Sequence, residues 1–94
     1  MNSMISNARR CYRCGSCQNL QVHHCIAGAY RKKSDKYNLV VYLCAECHTG
    51  SRGVHTTREG MKWWREYLMP IAQTKFEETY GHDKWMMEFG HNFL

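Results

Sequence analysis

Residues 38–48 read NLVVYLCAECH, a β-branched and aromatic run that passes without a break into Cys-x-x-Cys-His. The run has the composition of a strand. Cys44 and Cys47 follow it directly, and a Cys-x-x-Cys turn presents two thiolates at the separation that zinc requires. A closed tetrahedral site needs two more sulfurs. Upstream, residues 11–17 hold Cys11, Cys14 and Cys17, so the second pair is Cys11 with Cys14 or Cys14 with Cys17. Gly15, directly after Cys14, suits the tight turn that closes the first of these. The expected zinc ligands are therefore Cys11, Cys14, Cys44 and Cys47, with the register through Cys17 as the alternative. A structural Zn2+ held this way would tie the region before the strands to the end of the second one, and such binding contributes on the order of 10 kcal/mol to folding.

A chain of 94 residues makes one domain with a modest core, which gives a metal something to add. No charged n-region followed by an apolar h-region marks a secretory signal. The expected setting is therefore a reducing cytoplasm, where six cysteines read as ligands rather than as a disulfide framework. No apolar run approaches the roughly 18 residues that a membrane span needs. The formal charge is +5 and the pI about 9.0, with Arg9, Arg10, Arg13, Arg31, Lys32, Lys33, Lys36, Arg52 and Arg58 in the first two thirds. That imbalance favours a polyanionic partner, nucleic acid above all.

Residues 1–10 read as a flexible basic arm and residues 11–94 as a single zinc-stabilised domain, with a helical extension over 57–94. LQVHHC, residues 20–25, alternates enough to be a first strand, pairing antiparallel with the second. Between them, IAGAYRKKSDKY reads as a loop of a dozen residues, long enough to be suspected of a function. Thr56 with Glu59 fits a capping box, and Met61, Trp64, Leu68, Ile71 and Ala72 follow at helical spacing. Pro70 should kink or end that helix. Two further segments, 71–80 and 83–89, stop at Gly81 and Gly90, natural helix C-caps. The aromatic residues of this half track the helical period and read as packing.

With the cysteines assigned, His23, His24, His48 and His55 remain near the two strands. A strand bearing His-His, a return strand and then Cys-x-x-Cys-His resembles the HNH, or ββα-metal, nucleases. The stretch HHCIAGAYRKKSDKYNLVVYLCAECHTGSRGVH and the tail QTKFEETYGHDKWMMEFGHNFL are similar to small phage and prophage HNH proteins. The resemblance implies an α+β fold of the ββα-metal type with zinc knuckles and a helical C-terminal extension. It implies a metal-dependent endonuclease acting on DNA, in which His23, His48 and His55 hold the catalytic cation and His24 is the general base. One imidazole cannot do both, since coordination occupies the lone pair that would take the proton. The cation would be Mg2+ or another divalent ion. Asn38 is the nearest candidate for the residue that orients His24, one position further from the cysteine pair than in the commonest spacing, and Tyr30 stands where relatives carry Asn. Arg31, Lys32, Lys33, Lys36 and Arg52 flank the site and would contact phosphates. The rival reading is a non-catalytic module on the same scaffold that binds nucleic acid or inhibits a protein partner.

Overall fold

Strand β1 (Leu20–His24) pairs antiparallel with β2 (Val40–Cys44), Leu20 opposite Cys44 and His24 opposite Val40. The computed structural model describes residues 2–94, and this is the one sheet among them. In β2 only Tyr42 is less than fully buried. β1 is the reverse, since its one buried residue is His23. A two-stranded sheet is marginal in water without cover, and here the helical half supplies it: Trp64, Leu68, Ala72, Phe76, Trp85 and Phe89 join Leu39, Val41 and Leu43 in one core. The fold is mixed α+β, and no helix among the described residues is long and apolar enough to cross a membrane.

The segment between the strands is not a plain loop. After a 3-10 turn (Gly28–Tyr30) it forms α1 (Arg31–Lys36). Ser34 explains why, because its buried hydroxyl donates to the Ile26 carbonyl at 2.6 Å and accepts from the Ile26 amide at 3.2 Å. The Leu39 amide closes the far side on the Ser34 carbonyl at 2.8 Å. Lys33 donates to the Glu88 carbonyl at 2.7 Å, which fastens α1 to the end of the chain.

Helix α2 (Ala45–His48) starts as β2 ends and carries Cys47 and His48. Two backbone bonds fold the next segment back on it, Val54 N–H to the Cys47 carbonyl at 2.9 Å and His55 N–H to the His48 carbonyl at 3.2 Å. Helix α3 (Arg58–Trp63) is capped by Thr57, whose hydroxyl accepts from the Gly60 amide at 2.9 Å. Thr56, the expected cap, instead donates to the Gly50 carbonyl at 2.6 Å. Gly60 is buried against Gly53, and a Cβ there would overlap the Gly53 carbonyl and crowd the Val54 amide. The obstacle is backbone, which cannot swing aside. Gly60→Ala should therefore lose stability despite the better helix propensity of alanine, by about 1–3 kcal/mol. A thermal melt checks this, and a midpoint equal to or above the parent's would refute the close packing.

The helical run does not end at Pro70. Residues Trp64–Leu68 widen into a π turn, in which Met69 N–H bonds the Trp64 carbonyl. Pro70 then falls in the first turn of α4 (Met69–Tyr80), where its missing N–H is tolerated. Gly81 (φ 86°) ends α4 and Gly90 (φ 69°) ends α5 (His82–Phe89), as their spacing suggests.

Residues expected to form a flexible arm are bonded to the body: Ser3 donates its hydroxyl to the Val40 carbonyl, and Met4 N–H bonds the Asn38 carbonyl at 2.8 Å. Met4 and Ile5 pack against the core, a hydrophobic pair inside a polar stretch. Met1 of that arm lies outside the described residues.

Candidate metal centres and the histidine cleft

The structure gathers one sulfur from each of Cys11, Cys14, Cys44 and Cys47 within 4.8 Å of one another. Cys17 stays outside, exposed, with its thiol 4.0 Å from the Gly15 carbonyl. Of the two registers, the chain adopts Cys11 with Cys14. The turn is built by Gly15 at φ 84°, whose N–H bonds the Cys11 carbonyl at 2.9 Å, and Tyr12 N–H docks the knuckle on β2 through the Tyr42 carbonyl at 2.8 Å. Four sulfurs at this spacing are compatible with a structural metal such as zinc.

The electrostatics fit a cation as well. Burial works to raise the Cys11 thiol, but backbone amides of Cys44, Cys14 and Arg13 outweigh it and bring the pKa down to about 7. Cys47 goes the other way, pushed up to about 12 by burial and by the neighbouring thiols. Four thiolates packed this closely repel one another, and a divalent cation removes that conflict. Arg52 adds partial compensation, donating to the Cys47 sulfur at 3.9 Å, while Arg13 donates to the Arg52 carbonyl. The guanidinium of Arg52, expected to meet phosphate, is thus directed at the cysteine cluster.

A second cluster begins at His48, the residue after Cys47 on α2. Ring nitrogens of His23, His48 and His55 all come within 4.8 Å of one another, with ring centroids 5.4, 5.2 and 4.8 Å apart pairwise. His23 is 2 % exposed and packed edge-on to Trp64 at 4.5 Å. Its Nε2 is buried with no hydrogen-bond partner. Leaving such an atom unpaired costs about 1–3 kcal/mol, a cost that a metal–nitrogen bond would remove. Burial, then the neighbouring His48, His55 and His24, lowers the His23 pKa to about 3. His48 is also lowered, by burial and then by His55. Both rings are therefore held in the neutral form that coordinates a cation.

The side-chain amide oxygen of Gln21, Oε1, accepts from His48 Nδ1 at 2.6 Å, which leaves the Nε2 lone pair free. Gln21 had a signal in the sequence, since it stands two residues before His23 on the same strand and so shares its face. Trp64 had none beyond helical spacing, yet its ring also lies 5.3 Å from His55, and its Nε1 donates to the Cys25 carbonyl at 2.7 Å.

His24 shares a cleft of about 350 Å³ with His23, His48, His55 and Arg31. Its Nε2 lies 2.6 Å from Asp35 Oδ1. Asn38 is not its partner. That residue takes a left-handed conformation (φ 57°) at the entry to β2, spends its carbonyl on Met4, and lines a different hollow with Asn2, Ser3 and Tyr37. Of the basic residues expected near the site, Arg31 lines the cleft and Lys32 is exposed on α1. Lys33 is occupied by Glu88, and Lys36 lies over the Tyr37 ring at 5.3 Å. No protein-family model, curated protein or solved structure matches the chain, so the chemistry of the cleft is read from its own side chains.

Proposed function

We propose that the chain is a metal-dependent HNH-type endonuclease that hydrolyses DNA phosphodiester bonds, in the setting of phage or prophage DNA processing. One observation carries the reading: three imidazoles gathered as a ligand set for a cation share a cleft with a fourth, His24, whose Nε2 is engaged by a carboxylate. A cation held by His23, His48 and His55 would supply positive charge against the non-bridging and leaving oxygens of the phosphodiester. His24, outside that set, takes a proton from water at Nδ1. The hydroxide so formed attacks phosphorus, the phosphorus–oxygen bond to the leaving strand breaks, and that oxygen is protonated from solvent. Arg31 holds the phosphate at the cleft. An all-nitrogen ligand set suits Zn2+, Ni2+ or Mn2+ better than Mg2+, which prefers oxygen.

A non-catalytic DNA-binding module on the same scaffold is favoured by one observation, the displacement of Asn38 from His24. Plasmid nicking separates the two. Zinc-loaded protein with Ni2+, Mn2+ or Mg2+ is expected to relax supercoiled DNA, and His24→Ala to be slower by about 100-fold or more at unchanged metal content. Equal nicking by both proteins sinks the general-base assignment, and retardation of DNA without nicking under any metal supports the binding module.

A further inference from the structure

We infer that Asp35 is the positioning residue of His24, a role that rests on the nuclease reading for its purpose but not for its geometry. The Asp35 carboxylate accepts the Nε2 proton at 2.6 Å, which fixes the tautomer and leaves the lone pair on Nδ1. Such fixing matters because a base must present one defined nitrogen to its water.

The position of the carboxylate is set by the fold rather than by a chance surface encounter. Asp35 follows Ser34, whose buried hydroxyl is bonded in both directions to Ile26, two residues beyond His24. Helix α1 is therefore indexed to the end of β1 at the point where the base projects. Lys33, on the other side of Ser34, is pinned to the Glu88 carbonyl, so α1 is held against rotation. No other carboxylate bonds a histidine of the cleft among the described residues. Asn38, the alternative orienting residue, lines a different hollow beside Asn2, Ser3 and Tyr37 and accepts from Met4 N–H at its carbonyl.

Stability does not explain the pair. The Asp35 side chain is 64 % exposed, and exposed ion pairs contribute little to folding. Its removal should leave fold and metal content intact, which makes the role testable.

Asp35→Ala and Asp35→Glu are compared with the parent in two measurements. Nicking kinetics should show kcat reduced about 100-fold in Asp35→Ala, no weakening of KM for plasmid, and partial recovery in Asp35→Glu. Long-range 1H–15N correlation spectra of the imidazoles should show His24 as a single Nε2–H tautomer in the parent and a mixture in Asp35→Ala. Equal kcat and an unchanged tautomer in Asp35→Ala overturn the inference, as does a tautomer mixture in the parent itself. If the tautomer is fixed in the parent and released in Asp35→Ala while no protein nicks DNA, Asp35 still positions the ring and it is the nuclease reading that fails.

Discussion

Cys47→Ser is expected to abolish the folded state in ordinary buffer and to take both clusters with it. Cys47 is 1 % exposed and supplies one of four gathered sulfurs. Structural metal binding of this kind is worth on the order of 10 kcal/mol, comparable with the whole stability of a small domain, about 5–15 kcal/mol. The loss spreads because α2 is only four residues long and carries Cys47 and His48 side by side. The same turn holds His55 through the backbone bonds from Val54 to Cys47 and from His55 to His48. Losing the cysteine cluster therefore releases two of the three imidazoles. Metal analysis of the purified variant should find no stoichiometric zinc, circular dichroism should show no cooperative melt, and added Ni2+ should restore neither. Cys17→Ser is the control, since its thiol stands outside the cluster. A Cys47→Ser protein that melts cooperatively with zinc bound, beside a Cys17→Ser protein that has lost it, would reverse the ligand assignment.

The parts of this architecture that were legible in the sequence are those where one residue type meets one strong local demand. β2 was visible because β-branched residues buried on both faces leave few other readings, and the cysteine spacing because metal geometry is strict. Gly81 and Gly90 marked helix ends because backbone at positive φ tolerates little else. Helix α1 was hidden for the opposite reason. Its sequence, RKKSDK, has no apolar period, and what holds it is a serine hydroxyl and a lysine reaching 55 residues along the chain. Hydrogen bonds of that kind leave no pattern to read. Asp35 was missed with the helix that carries it, and Asn38 was favoured because separation along the chain says nothing about a left-handed turn that points it at Met4. Pro70 does not end the helical run because it falls in the first turn of α4, directly after a widened turn that buries Trp64 and Leu68, and separation along the chain does not show that turn.

His23→Leu is expected to separate the stability of the fold from its capacity for the second metal, with opposite signs. Leucine fills nearly the same space beside Trp64 and brings no buried nitrogen to leave unpaired, so the fold without metal at the imidazoles should gain. The gain should grow with acidity. His23 is held neutral down to about pH 3 in the fold, whereas in the unfolded chain it takes up a proton below about pH 6.5. Between those values protonation draws the chain toward the unfolded state, by about 2 kcal/mol at pH 5, and leucine escapes this. Both proteins keep the cysteine cluster, His48 and His55, so the widening gap between their melting points from pH 7 to pH 5 belongs to residue 23. For a domain of this size it should reach about 8–16 °C. Added Ni2+ should then act in reverse, raising the midpoint of the parent through binding to the folded state alone and leaving that of His23→Leu unmoved. A variant less stable than the parent at both pH values without added metal would mean that the imidazole serves packing. A variant that still gains from Ni2+ would mean that His48 and His55 suffice. The predicted pattern follows from the placement of His23 Nε2, where the fold without metal bears the cost of a buried, unpaired nitrogen and ligation is what relieves it.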